Sequence, residues 1–388
     1  MRNRIPGPEL AAHSILSLVV AQLPTFLIGA VAVEVQRELG FGAAALGAIV
    51  AASLTASSVT SVLGGSWAQR WGWAPSMRWA AAITAVTSAC LAAWAQSWQL
   101  LAILLVLSGS AKALAHPAAS LAIAVEGRRR HQGLLFGLKQ AGVPASATLA
   151  GMAVPTVAAG WGWRSTFWML AAVAVVATIT VPRRPRPVIV PSGRHSSTGI
   201  TSRTSRTDLI VISVASGLGV VTSNSVAAFV TSYGVTVGFS ESAAGVLLAA
   251  GSATGLLVRV VLGWRSDRVH LSLRTVAVCL WGGTAGIIMV STAVPVLVVA
   301  GVLVAFGAGW GWAGLLNALI VRRYPAAAAV TTGITQVGVF VGAGAGPLMF
   351  GLIAEHFSFT AAWWMVAVCA ALAGIGMFVV ARMWCAKP

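Results

Sequence analysis

The chain has 388 residues, of which 58% are hydrophobic and only 9% charged, and its mean hydropathy is +0.88. A soluble domain uses about 25% charged residues to keep its surface in water, so the composition excludes a soluble enzyme or binding module and points to a polytopic membrane protein. The net charge of +17 does not call for nucleic acid, because the cations fall in short connections between apolar runs, where membrane topology places them.

The chain opens MRNRIPGPELAAHSILSLVVAQLPTFLIGAVAV, basic and then apolar. That order resembles a secretion signal, but the apolar run is too long for one and reads as a first helix that stays. A helix needs about 20 mostly apolar residues to cross a bilayer. Twelve runs qualify, at 11–33, 43–63, 79–97, 100–124, 134–160, 165–181, 209–237, 243–262, 273–293, 296–321, 326–354 and 359–381. Trp94, Trp98, Trp161, Trp163 and Trp363 lie at run ends, as an interfacial aromatic belt requires.

Between these runs 20 Lys and Arg residues fall on one side and two, Arg37 and Arg164, on the other. The positive-inside rule then predicts an even number of spans with both termini in the cytoplasm. The longest connection, 182–208, is rich in Pro, Ser, Thr and Arg. It reads as a flexible cytoplasmic linker, able to meet acidic lipid headgroups, between an N-terminal six-helix bundle at 1–181 and a C-terminal one at 209–388. Cys90, Cys279, Cys369 and Cys385 are scattered, with no metal-ligand or disulfide spacing, and read as small packing residues. No metal site and no cofactor is expected.

The two halves repeat. LGFGAAALGAI (39–49) matches VGFSESAAGVL (237–247), and GSWAQR (65–70) matches GWRSDR (263–268), both at an offset of 198. GLKQAG (137–142) matches GITQVG (333–338), and GWRSTFWMLA (162–171) matches SFTAAWWMVA (358–367), both at 196. Such a repeat predicts two bundles about a pseudo-symmetry axis, with substrate bound between them near the midplane.

Two six-helix halves, a central basic loop and the twice-used pattern G-x-x-x-D-R resemble the major facilitator superfamily of secondary transporters along essentially the whole chain. The segments LKQAGVP and GWGWAGL resemble the bacterial cyanate-permease branch of that family. The resemblance implies a gating role for Gln69, Arg70, Asp267 and Arg268, although Gln69 stands where the family usually has Asp and brings no charge to a helix terminus. It also implies that helices 1, 4, 7 and 10 line the cavity, which raises Gln22, Lys112, Asn224 and Trp312 as substrate contacts. Gln336 in helix 11 is the repeat mate of Gln140 in helix 5. The stretch GLKQAGVPASATLAGMAVP is dense in small residues but lacks the Gly-Pro pair of the family's antiporters; that pair is Gly346–Pro347, in helix 11.

All eight acids lie in loops or at helix ends, whereas Lys112, His116, Lys139 and Arg259 fall within spans. A lysine at the centre of a bilayer helix costs roughly 2.5–3.5 kcal/mol on insertion scales, and Lys112 is too deep to snorkel comfortably. Only three of the 25 basic residues are lysines, and two of these are intramembrane. With no acid at its depth, Lys112 is expected to meet an anionic ligand; the alternatives are a neutral lysine or carbonyls near Pro117. His116, one turn on, either titrates beside it or is a hydrogen-bonded core residue. Lys139 and Arg259 lie nearer the cytoplasm, where they bind substrate or snorkel, and Arg259 could pair with Asp267.

None of the three lysines follows a phosphate-cradling glycine run, and no nucleophile–base–orienter set is present, so neither an ATP-driven pump nor an enzyme is expected. The expectation is a monomeric inner-membrane carrier of a small organic or inorganic anion, working by alternating access in the lipid bilayer, with protons as a candidate coupling ion. Two alternatives stand beside it: proton-coupled efflux of apolar drugs or metabolites, which would need an embedded acid such as Glu34, and a non-transporting sensor or scaffold.

Overall fold

The computed structural model describes residues 7–126, 132–182, 203–266, 268–269, 271–324 and 328–385. Among these residues the chain is all helical. The first half contains α1 (Gly7–Ala30), α2 (Ala32–Leu39), α3 (Ala43–Trp71), α4 (Trp73–Trp94), α5 (Trp98–Glu126), α6 (Gln132–Ala153), α7 (Ala159–Trp161) and α8 (Trp163–Thr180). The second contains α9 (Arg203–Thr236), α10 (Glu241–Ser266), α11 (Leu273–Ser291), α12 (Pro295–Arg323), α13 (Ala328–His356) and α14 (Phe359–Cys385).

Among the described residues, eleven spans are long and apolar enough to cross a membrane. The twelfth expected run is α4, whose 22 residues reach roughly 33 Å. Its Trp, Ser, Thr and Arg78 lower its hydropathy, and it lies packed between α5 and α8 with its polar Ser76, Thr84, Thr87 and Ser88 buried. The first span ends sooner than its apolar pattern suggests: Val31 leaves the helical conformation, and α2 runs on as a short amphipathic helix with Ala32 and Val35 buried. Of the linker expected at 182–208, residues 183–202 lie outside the described residues, and 203–208 already belong to α9.

Each half packs from both parallel and antiparallel neighbours: α3 and α5 run the same way, Gly109 packing at Ser53 and Gly64 at Ala113, and so do α9 and α13, Gly338 packing at Ser213 and Gly346 at Val221. In the first, α3 meets α5 while α4 meets α5 and α8; in the second, α11 meets α12 and α14, and α9 meets α13 and α14. The halves join along two long seams, α3 with α13 and α6 with α10, and along a shorter crossing of α1 with α9. Small residues make these seams possible, because in lipid helices associate by close packing. A methyl group on Gly47 would strike the Pro347 carbonyl across the first seam, and one on Gly351 would strike Ala43. On the second seam a methyl on Gly151 would lie 2.5 Å from the Gly245 carbonyl. Beside that contact the chain widens into a π-helical turn, Val154–Ala158, which contains Pro155.

Four prolines, Pro24, Pro117, Pro144 and Pro347, sit inside helices. Each removes an N–H and frees the carbonyl four residues earlier, which a neighbouring group must satisfy at membrane depth.

The two ends of the bundle differ in charge. Glu34, Glu38, Glu241 and Glu355 gather at one end, here the acidic end; Arg70, Arg265, Arg268, Arg274, Arg322, Arg323 and Arg382 mark the basic end. At the acidic end the halves are tied twice. Arg37 donates to Glu241 at 2.8 Å, and Glu355 accepts from the backbone N–H of Ala44 at 2.7 Å, in the first turn of α3. A carboxylate at that position satisfies an orphan donor and suits the helix dipole.

Candidate substrate site

A cavity of about 60 Å³ lies between the halves, lined by Gln22, Thr25 and Phe26 of α1, Val50 and Leu54 of α3, Val143 of α6, and Asn224, Ala227 and Ala228 of α9. Its wall toward the acidic end is the α1–α9 crossing, where Gly29 packs so closely that a methyl there would be 2.9 Å from the Ala227 carbonyl. The polar groups are few and converge: the Gln22 and Asn224 carboxamides face the space from opposite halves, with the Thr25 hydroxyl beside them. Asn224 makes no side-chain hydrogen bond among the described residues.

Behind Thr25 lies Lys112, 3% exposed. Its Nζ donates to Thr25 Oγ1 at 2.6 Å and to Ser53 Oγ at 3.3 Å. Ser53 in turn donates to the Leu105 carbonyl at 3.0 Å. The Ser53 proton is thereby used, so in the 3.3 Å contact between the two hydroxyls Thr25 is the donor. Both hydroxyl oxygens are left to accept from Lys112 Nζ. No carboxylate enters this cluster. Of the alternatives read from the sequence, carbonyls near Pro117 do not hold the lysine; hydroxyls from α1 and α3 do.

His116 stands behind Gln22 in the same way. The Gln22 amide nitrogen can only donate, so His116 Nε2 accepts from it at 3.1 Å. One turn on, Ser120 donates to the His116 carbonyl at 3.0 Å and accepts from Lys139 Nζ at 2.6 Å. Lys139 is buried, at 7% exposure, and does not snorkel. The polar chain Gln22–His116–Ser120–Lys139 therefore runs from the cavity toward the basic end within the first half. Ala113, four residues before Pro117, has its freed carbonyl against α3 at Gly64, where no side chain would fit.

The second half contributes less. Trp312 does not line the cavity: it is 1% exposed, packs on Gly219 and Leu280, and donates its indole N–H to the Gly309 carbonyl at 2.8 Å. Two residues along a helix point about 200° apart, and it is Trp310 that faces the seam, edge-on to Phe26 at 5.9 Å between ring centroids. Gln336 is exposed on α13, away from the cavity. Arg259 donates Nη1 to the Gln140 carbonyl at 2.9 Å and Nη2 to the Trp310 carbonyl at 2.7 Å. Gln69 and Arg70 are exposed at the end of α3 and make no hydrogen bond or ion pair among the described residues. Arg268 lies over the Trp264 ring at 4.0 Å, and Asp267 is outside the described residues.

Glu34 is not an embedded acid. It sits on α2 at the acidic end and accepts from the backbone N–H of Trp163 at 3.1 Å, capping α8. Burial raises its pKa, and the bond from Trp163 only partly offsets this. Beside it, Glu38 accepts from the Trp163 indole at 2.6 Å and from Arg164. Burial raises Glu38, but these two donors outweigh it and leave the pKa lowered. Nothing in the sequence pattern marks Thr25 and Ser53 as the lysine's partners; they lie 87 and 59 residues from it.

This arrangement, two helical halves around a small, mostly apolar cavity with a few convergent polar groups, is that of a membrane carrier. The chain belongs to the major facilitator superfamily: the model of that family matches residues 14–336 and again 212–387. The two matches start 198 residues apart (212 minus 14), the same offset as the first pair of sequence repeats. Solved structures with similar folds include a nucleoside transporter, with TM-score 0.73 and 15% identity over 96% of this chain and 99% of that one. A bacterial homologue of the human lysosomal transporter Spinster, inward-facing and occupied, has TM-score 0.74 and 14% identity over 97% of each chain. A D-xylose–proton symporter has TM-score 0.74 and 17% identity over 96% of this chain and 98% of that one. At these identities the likeness is one of fold. No curated protein matches in sequence, and the cyanate-permease branch finds no support among these neighbours.

Proposed function

We propose that the protein is a secondary transporter of a small anion. The observation that carries this reading is Lys112: a buried ammonium one hydroxyl away from the cavity, held by Thr25 and Ser53 alone, with no carboxylate lining the space among the described residues. A buried charge is stable only when paired, and hydroxyls solvate without neutralising. An anion in the cavity would complete the pair through the low-dielectric interior. Gln22 and Asn224 supply N–H donors from either half to orient its oxygens. The acids that a proton-coupled drug pump would use are at the acidic end, where Glu34 and Glu38 hold the start of α8.

The rest of the reading follows from the fold. The bundles at 1–181 and 209–388 rock about the α3–α13 and α6–α10 seams, carrying the site from one face to the other. The basic end faces the cytoplasm of a bacterial inner membrane, with both termini there, by the positive-inside rule. His116, on Gln22, is the group through which protons would couple to transport.

A ligand-stabilisation screen tests the reading, since a ligand that binds the native state raises its melting temperature. The probes are formate, acetate, oxalate and nitrate, with tetraphenylphosphonium as an apolar cation. Stabilisation by an anion that disappears in Lys112→Ala is the expected result. Stabilisation by the apolar cation alone, retained in Lys112→Ala, would overturn it.

A further inference from the structure

Among the described residues, Arg259 is a half-buried cation that touches both halves. It lies on α10, seven residues before the helix ends at Ser266. Nη1 reaches the carbonyl of Gln140 on α6 in the first half, and Nη2 reaches that of Trp310 on α12 in the second. Nε is buried and has no hydrogen-bond partner. The Gln140 carbonyl is available for a reason written in the sequence. Its helical partner would be the N–H of residue 144, and residue 144 is proline. The freed carbonyl turns to the guanidinium instead. The contact is next to the cavity: Val143, three residues on from Gln140 and on the same face of α6, lines it, and so does Phe26, against which the Trp310 ring packs.

A guanidinium resting on two neutral carbonyls is underused. Its five N–H groups form a planar fork suited to a carboxylate, and bonds to an ionised acceptor are roughly twice as strong as bonds to a neutral one. The buried Nε–H makes no hydrogen bond among the described residues, so the fork has a donor to spare.

We propose that Arg259 is a second anion-binding group, which clasps the two halves together in the empty carrier and lets go when a substrate carboxylate takes its guanidinium. This rests on reading the cavity as an anion site and adds the means by which occupancy is sensed. The empty carrier is held on the Gln140 and Trp310 carbonyls; the loaded carrier has exchanged them for the substrate and is free to move at the basic end. Such a carrier exchanges anions faster than it carries them one way, because its empty return is the held step.

The test measures the separation of the halves at the basic end in the full-length chain, with Cys90, Cys279, Cys369 and Cys385 replaced by serine. Spin labels go on Ser66→Cys of α3 and Gly263→Cys of α10; both positions are exposed, and a side chain at Gly263 meets open space. Formate, acetate and oxalate are the probes. Without anion, Arg259→Gln should populate longer distances than the parent. Pro144→Ala should do so to a smaller degree, because it returns an N–H to the Gln140 carbonyl without touching any charge. At least one carboxylate should lengthen the parent's distances and leave Arg259→Gln unmoved. Coincident distributions for Arg259→Gln and the parent without anion would overturn the clasp. A carboxylate that moves Arg259→Gln as far as the parent, or no carboxylate that moves the parent, would overturn the anion-binding role. The cavity reading is judged separately, by whether Lys112→Ala loses the melting shift.

Discussion

The two halves share a fold and a repeat, yet they spend their interiors differently. The first half buries Lys112 and Lys139 and half-buries His116, and satisfies them with Thr25, Ser53, Ser120 and Gln22. The second buries aromatic rings: Phe229 on Phe350 at 4.5 Å, Trp363 on Phe350 at 4.5 Å and Phe306 on Trp310 at 5.1 Å. Its one deep cation, Arg259, points to the seam rather than into its own bundle. The difference teaches that the polar and the apolar burden are shared unevenly: on the proposed reading the first half carries most of the groups that would recognise charge, and the second adds Asn224 and Arg259 to a largely aromatic wall.

Substitutions in each half should therefore fail in different ways. The largest loss of stability is expected from Trp312→Ala, about 3–5 kcal/mol for emptying a fully buried indole site, with affinity per folded molecule unchanged. Melting and anion titration on the same sample check both parts. Next comes Lys112→Ala, expected to cost binding about 2–5 kcal/mol, as when one partner of a buried charge pair is removed, while the fold persists; calorimetry measures it. If Trp312→Ala instead destroyed affinity in folded protein, the division of labour would be broken.

The seam they share is the third target. Gly47→Ala drives a methyl into the Pro347 backbone and should destabilise by about 1–3 kcal/mol, the usual cost of overpacking, seen as a lower melting temperature in the presence and absence of anion alike. Thr25→Val sharpens the comparison more finely. It keeps the shape but removes the hydroxyl between Lys112 and the cavity, so anion affinity should fall about tenfold or less, on the order of one hydrogen bond.

The smallest effect belongs to the acidic end. Glu34 has its pKa raised by burial, so the native state holds its proton more tightly than the unfolded chain. The native state is then disfavoured as pH rises above 4.5, the ordinary value for a glutamate. Glu38, with its pKa lowered, acts in the opposite sense and loses its stabilisation as pH falls. Glu34→Gln should raise the melting temperature slightly at neutral pH, and the gain should fade toward pH 4.5; a pH series of melting curves reads it. A gain that grew on acidification would refute the assigned cause.

How much of this was legible beforehand depends on the kind of signal. Crossing helices announce themselves by length and apolarity, and eleven of the runs predicted from sequence are apolar enough in the structure as well. Their rotation does not. A helix apolar all round has no polar stripe to say which face looks inward, so Trp312 could be preferred over Trp310 although only the latter meets Phe26. Lys112 stood out because a lysine at membrane depth is expensive wherever it points. Its partners were hidden, because serines and threonines are common in such helices and most of them bond their own backbone, as Ser57 and Thr60 do. Glu34 is where the sequence places it, at the outer end of the first span, but the break at Val31 that puts it on a separate helix, α2, is not announced by the apolar run that continues through it.

The most direct measurement is counterflow in proteoliposomes preloaded with unlabelled acetate, formate or oxalate, following entry of the labelled anion. The account predicts rapid exchange of at least one of them by the parent protein and none by Lys112→Ala inserted at equal density. Equal exchange by the two proteins, or exchange of neutral solutes alone, would contradict it.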